Sequence, residues 1–279
     1  MPASQSGKRP IGVFDSGMGG FSVLRAMRDA MPTESVIYIG DTAHVPYGPK
    51  STDTVTFYSK NAVANLVASG VKAIVIACNT ATVAALEELR VNYPDIPIIG
   101  VVEPGARSAA TLTRNGRVAV VATVGTIKSG AHARMINEMR PGTEVIGIPA
   151  PLFVSLAEEG WLEGPAPDAV AVHYLTPAFD VLPEKRPDCL LVGCTHIPFF
   201  SKAISKAVGA DVTLIDPAIQ TVRELQKILE EKGLADKKGN AVYEYRASSD
   251  SAHFAKVGSL LLKTTITPAE VRLTELGTL

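Results

Sequence analysis

Short apolar runs rich in β-branched residues recur along the chain, and they restrict its fold more than any other feature. They are IGVF at 11–14, VIYI at 36–39, AIVIA at 73–77, PIIGVV at 97–102, VAVVA at 118–122, EVIGI at 144–148, CLLV at 189–192 and VTLI at 212–215. A strand with one wet face alternates polar and apolar side chains, whereas a run that is apolar throughout suits a strand covered on both faces. Helical periodicity fills most of the gaps between the runs. Over 53–69, Val55, Tyr58, Ala62 and Leu66 fall on one stripe, and a second helical pattern over 80–92 is closed by Tyr93-Pro94. The alternation predicts an α/β fold with mainly parallel sheets.

A weak internal repeat divides the series in two. VFDSG at 13–17 and VVATVG at 120–125 each end a strand in a small, polar loop. AIVIACNTAT ends a strand on Cys78, and LLVGCTHIP does the same on Cys194. Each half thus pairs a loop-bearing strand with a cysteine-bearing strand. The 279 residues suffice for two domains, and 46% hydrophobic residues can fill a core in each. The expected division is a discontinuous first domain, 1–103 plus 217–279, and a second domain over 104–216.

Basic and acidic side chains nearly cancel, 27 against 28, so neither a nucleic-acid groove nor a basic membrane-binding face is expected. No apolar run approaches the roughly 20 residues of a membrane span. The first ten residues, MPASQSGKRP, lack the apolar stretch of a secretory leader. Three cysteines at wide, irregular spacing do not make a disulfide framework, and a reducing cytoplasm is the expected compartment.

In open α/β sheets, ligands bind beyond the carboxyl ends of the strands. Asp15-Ser16, the loop holding Tyr47-Gly48, Cys78-Asn79-Thr80 and Cys194-Thr195-His196 all fall at such ends. A free cysteine is usually a small buried hydrophobe, and Cys189, at the start of an apolar strand, suits that description. Cys78 and Cys194 differ, because each stands at a strand's last position, beside hydroxyls or amides and just before a helix. A helix N-terminus or a nearby histidine activates a thiol, and His196 is two residues from Cys194. There is no CxxC or HExxH pattern for a metal. A Cys–His hydrolase would leave the second cysteine unexplained. DSGMGG at 15–20 lacks nucleotide-loop register. Asp15 comes off a buried strand, where a carboxylate needs a task or a partner, and the glycines would expose N–H groups to an anion such as a substrate carboxylate. His44, His132, His173 and His253 show no ligand spacing and are expected at the surface or at caps. Glu158 and Glu159 would by default be a solvated helix end.

VFDSGMGGFSVL, YIGDTAHVPYGPKS, ACNTAT, ATVGTIKSG, PLFVSLAEEG and VGCTHIPFF, in that order, resemble the glutamate racemases from about residue 10 to about 255. The resemblance implies two pseudo-symmetric α/β domains with the site between them. It implies a cofactor-independent enzyme, with no metal, that interconverts L- and D-glutamate and supplies D-glutamate for peptidoglycan, and a homodimer. It further implies that Cys78 takes the proton from D-glutamate and Cys194 from L-glutamate. Asp15 and His196 match the auxiliary acid/base residues, and Glu158 a further carboxylate on the Cys194 side, with Glu159 adjacent to it. Asp15, Ser16, Tyr47, Gly48, Asn79, Thr80, Thr126, Thr195 and His196 match the substrate-binding positions. The chain departs from the pattern at Ala150-Pro151, where many relatives have Cys-Pro, at Ser155 in place of a common proline, and at His132, where tyrosine is frequent. A racemase acting on aspartate or another amino acid is the neighbouring alternative. A catalytically silent α/β module, the other class, would be expected to have lost a cysteine or Asp15, and this chain retains all three.

Overall fold

A computed structural model describes residues 7–277; the reading of the first ten residues as no leader therefore falls mostly outside the described residues. Two sheets carry the fold. The strands are β1 (Ile11–Asp15), β2 (Val36–Gly40), β3 (Ala73–Ile76), β4 (Ile98–Gly100), β5 (Arg117–Ala122), β6 (Glu144–Pro149), β7 (Cys189–Gly193), β8 (Thr213–Ile215), β9 (Tyr243–Ala247) and β10 (Val271–Leu273). The first sheet runs β10-β9-β2-β1-β3-β4 and the second β6-β5-β7-β8. Neighbouring strands pair in parallel throughout. The path β2-β1-β3-β4 is repeated as β6-β5-β7-β8, so the repeat in sequence is a repeat in topology. In each, the chain reverses its winding at the central pair, β1/β3 or β5/β7, and that reversal opens a crevice at the carboxyl ends.

Helices α1 (Phe21–Ala30), α2 (Thr52–Ala68), α3 (Asn79–Asn92), α4 (Val102–Leu112), α5 (Val124–Ser129), α6 (Ala131–Met139), α7 (Leu152–Glu158), α8 (Pro165–Phe179), α9 (Ser201–Val208), α10 (Pro217–Glu231) and α11 (Ser251–Leu262) cover the sheets. Successive residues of each strand feed opposite cores. Ile11, Val13, Tyr38 and Val75 pack against α1, α10 and α11, whereas Phe14, Ile39, Ile74 and Ile76 pack against α2 and α3. In the second sheet, Ala119, Val121, Leu190 and Val192 meet α7, α8 and α9, and Val118, Val120, Cys189 and Leu191 meet α4 and α6. Truncating a fully buried Ile or Leu of this kind to Ala typically costs about 2–5 kcal/mol. No helix among the described residues is long and apolar enough to cross a membrane.

Two strands escape the sequence pattern. β9, YEYRA, breaks the apolar run with Glu244 and with Arg246, which is only 5% exposed. Its guanidinium is satisfied by Glu244, Asn65 and Ser69, the last two at the end of α2. β10 has three residues and lies at the sheet edge. The expected run PIIGVV is also cut short, since Val101 already has helical backbone angles and Val102 opens α4.

Candidate active site

The loops after β1, β3, β5 and β7 meet around a narrow cavity lined by residues of both halves. Cys78 and Cys194 both reach it, one from each sheet, and each is only 5% exposed. Ser16, Tyr47, Gly48, Asn79, Thr80, Thr195 and His196 share the lining. Thr126 stands one step back, with its hydroxyl 3.1 Å from that of Thr80. Asp15 and Glu158 also sit behind the wall, bonded to residues that line it. Cys189 lies away from the cavity, buried between α4, α6 and its own strand.

The two thiols have different settings. Cys78 is the N-cap of α3, and its sulfur accepts the Ala81 N–H at 3.4 Å. Burial pushes the thiol up to about 12, and the charge of Asp15 adds to this; hydrogen bonds from Ser16 and Ala81 only partly offset them. Cys194 is followed not by an α-helix but by a 3₁₀ turn, Ile197–Phe200, with Pro198 in its first turn, before α9 begins. His196 Nδ1 lies 3.7 Å from Cys194 Sγ, and its Nε2 lies 2.6 Å from Glu158 Oε1. Burial opposes a charge on this imidazole. Its hydrogen bonds to Cys194 and Glu158, and the carboxylate of Glu158, outweigh burial and hold His196 well above its ordinary value. As an imidazolium it donates from both nitrogens, to the sulfur and to the carboxylate.

Of the adjacent acidic pair, Glu158 turns inward and Glu159 is exposed. Glu158 Oε1 also accepts the Met18 N–H at 2.9 Å. The glycines of DSGMGG make this approach possible. A Cβ at Gly17 would lie 2.4 Å from Glu158 Oε1, and one at Gly19 would lie 2.6 Å from His196 Nδ1. The loop was expected to offer its N–H groups to a bound anion. Instead Gly17 N–H goes to Asp15 Oδ2 at 3.0 Å and Met18 N–H to Glu158, so the protein's own carboxylates take both donors.

Asp15 is fully buried. Its Oδ1 accepts from Thr195 Oγ1 at 3.1 Å. Burial raises its carboxyl above the ordinary value, and the charge of Glu158 adds to this; His196 and the Gly17 N–H pull the other way. Asp15 thus reaches across to the Cys194 loop by a hydrogen bond and acts on Cys78 through its charge.

Several contributors left no mark in the sequence. Thr123, at the start of α5, is 3.0 Å from both Thr80 and Thr126, which closes a triangle of hydroxyls across the two halves. Gly125 N–H donates to Gly48 O at 3.0 Å beside it. Asp41, fully buried, accepts from Tyr47 Oη and Ser248 Oγ, both at 2.6 Å, and bonds His44 Nδ1 at 2.8 Å. Burial and the Asp41 charge push the Tyr47 phenol upward, so it stays a donor. The amide of Asn79 is buried on the cavity wall with no hydrogen-bond partner at either end.

The four remaining histidines divide. His173 is exposed; His44 is half-buried and stacks on Tyr58, with ring centroids 3.9 Å apart. His253 bonds the Glu158 carbonyl at 2.7 Å. His132, expected at the surface, is 3% exposed because α6 turns it inward against Gly193, and neither ring nitrogen has a partner. Burial pulls it down to about 4. Among the described residues no group of three or more His, Cys, Asp or Glu side chains could hold a metal ion.

Known proteins are similar to this chain in sequence and fold. A sequence model of the family described as Asp/Glu/Hydantoin racemase matches residues 13–225. A glutamate racemase of Geobacter metallireducens is 44% identical over 257 residues, covering 91% of this chain and 93% of the relative. The crystal structure of the Francisella tularensis glutamate racemase in complex with D-glutamate superposes with a TM-score of 0.87 at 36% identity, covering 96% of this chain and 98% of that one. The glutamate racemase isoform RacE1 of Bacillus anthracis gives a TM-score of 0.90 at 32% identity, covering 97% and 98%. The chain belongs to the Asp/Glu/hydantoin racemase family and is an isomerase of that class.

Proposed function

We propose that the chain interconverts L- and D-glutamate without a cofactor, with Cys78 and Cys194 as the two bases. One observation carries the reading: the two thiols, at equivalent points of two repeated sheets, line one cavity. Inverting Cα requires a proton to leave from one face and another to arrive on the opposite face. A thiolate on one side takes the first proton and a thiol on the other gives the second. The site ends each turnover with its thiol and thiolate exchanged.

Burial keeps Cys78 protonated, and the His196 imidazolium presents an N–H to Cys194. When Cys194 is the thiolate, it would take the proton from L-glutamate, and Cys78 would donate to the other face. Asp15 is read as the helper near Cys78, and His196 with Glu158 as the helpers near Cys194. Donors fixed in place before the reaction stabilise the charge that builds at Cα and in the α-carboxylate. The unpaired Asn79 amide, the Thr80 and Thr195 hydroxyls, Ser16, Thr126 and the Tyr47-Gly48 loop are read as those donors. A buried polar group without a partner is rare in a folded protein, and a charged substrate would supply the partner Asn79 lacks. The names of the relatives support glutamate as the substrate. The family resemblance extends the reading to a cytoplasmic homodimer that supplies D-glutamate for peptidoglycan. The two sheets are read as the cores of two domains, 1–103 with 217–279, and 104–216.

The test is direct. Purified protein mixed with L-glutamate and no added cofactor should drive the optical rotation to zero, and should do the same from D-glutamate. Folded protein that leaves both solutions unchanged would overturn the reading. Faster racemisation of aspartate than of glutamate would move the substrate assignment.

A further inference from the structure

The carboxylate that holds His196 sits on a weak support. α7 has only seven residues, too few to be stable as an isolated helix, and Glu158 is its last residue. The final carbonyls of a helix have no partner within it. The Glu158 carbonyl finds one outside. His253, on the first turn of α11, places Nε2 2.7 Å from it. α11 packs on α1, the 3₁₀ turn Pro268–Glu270 and β10 of the first sheet, whereas α7 belongs to the core of the second. The contact therefore spans the two halves. The same surface of α11 seats the residues that follow: at Gly160, which has φ +74°, a Cβ would lie 3.2 Å from Leu260 Cδ1 and 3.7 Å from Val257 Cγ2. His253 is itself fixed, since Asp250 caps α11 by accepting the His253 N–H at 2.9 Å.

We infer that His253 is a positioning residue for the Cys194 half of the site: its Nε2–H, donated to the Glu158 carbonyl, sets the backbone from which the Glu158 carboxylate reaches His196 Nε2 and Met18 N–H. The inference rests on the two-thiol reading above. His253 touches neither thiol nor the cavity wall, so it acts only through Glu158. Its influence should fall on one thiol. Cys194 is joined to this chain of contacts through His196, whereas Cys78 is bonded to the start of α3 on the far side.

The experiment uses elimination from 3-chloroglutamate, which needs one base: that base removes the Cα proton, chloride leaves, and the resulting enamine hydrolyses to 2-oxoglutarate and ammonia. Cys78→Ala retains only the Cys194 base, and Cys194→Ala only the Cys78 base. His253→Ala placed in the Cys78→Ala protein should lower kcat for elimination about ten-fold, with KM within about two-fold. In the Cys194→Ala protein it should leave elimination unchanged. His253→Gln, whose amide can donate in place of Nε2–H, should restore most of the loss. Equal loss in both backgrounds would show a merely structural role and overturn the inference, as would no loss in either, or a His253→Gln variant no better than His253→Ala. If His253→Ala does not fold, His253→Leu, which keeps side-chain bulk but has no donor, is compared between the two backgrounds by the same criterion: a loss confined to the Cys78→Ala background supports the inference, and equal loss, or none in either, overturns it. A wild-type protein that fails to racemise glutamate would instead remove the two-thiol reading on which the inference stands.

Discussion

Cys78 and Cys194 stand at equivalent places, one residue or two beyond the third strand of a repeated unit, yet their surroundings are unlike. The Cys78 side is built from a helix N-terminus and a buried carboxylate, and it holds a neutral thiol pushed up to about 12. The Cys194 side is built from an imidazolium clamped to a second carboxylate. Repetition of the fold supplied the position, and local sequence supplied the charge. Enantiomers have equal free energy in water, so a racemase has no need of two identical bases. It needs one thiol and one thiolate in each direction, and an asymmetric site can specify which is which at rest.

The largest effect should come from breaking the pair. Cys78→Ala or Cys194→Ala should lower racemisation about 10³-fold or more, because each removes one of two bases. Each variant should keep elimination from one enantiomer of a β-substituted glutamate, and the two should keep opposite ones. Racemisation surviving in either variant at the wild-type rate would end the two-base account. Retention of the same enantiomer by both would place the thiols on one face.

The sequence carried much of this comparison, and the reason is physical. β1 to β5 and β7 are buried on both faces, so each stands out as an apolar run, and the cysteines that follow β3 and β7 interrupt those runs visibly. What stayed hidden depends on approach from afar. Asp41 becomes meaningful only when Ser248 and Tyr47 arrive beside it. The glycines at 17 and 19 suggest a tight turn, but only the fold shows that they make room for Glu158 and His196. Arg246 hides a strand because its partners lie on another helix. The inward turn of His132 cannot be read from a single polar residue on a short helix.

A smaller effect, about ten- to hundred-fold, should separate the helpers. His196→Asn should slow Cα proton abstraction from L-glutamate most, and Asp15→Asn abstraction from D-glutamate. Turnover must fall in both directions for each, since the equilibrium constant is fixed. The asymmetry therefore belongs in primary deuterium isotope effects measured separately from each enantiomer. Asp15 makes this the sharper case. It acts on Cys78 through charge but is hydrogen-bonded to Thr195, next to Cys194. If Asp15→Asn raises the isotope effect equally from both enantiomers, the carboxylate serves the junction of the halves and not the Cys78 face. Identical effects for His196→Asn from both enantiomers would dissolve the assignment of helpers altogether.

The smallest effect is on stability, and it too divides the halves. His132, against Gly193 of the Cys194 half, is buried and neutral, held down to about 4. Its folded value lies below that of the unfolded chain, about 6.5. As pH falls from 6.5 towards 4, the unfolded chain binds a proton that the folded protein refuses, so stability is lost over that window by up to about 3 kcal/mol. Asp15, in the Cys78 half, has the opposite sign: burial raises its carboxyl, so the folded protein holds that proton longer, and the contribution is lost as pH rises. His132→Phe keeps an aromatic ring and removes two unpartnered nitrogens. It should raise stability by about 1–2 kcal/mol at pH 8, and its advantage over wild type should widen steadily down to pH 4.5. Racemisation should be unchanged, since His132 meets the Cys194 strand only through a ring carbon near Gly193. Thermal denaturation across this range gives the answer. Parallel curves for the two proteins would mean that His132 is not the acid-sensitive point of the second half.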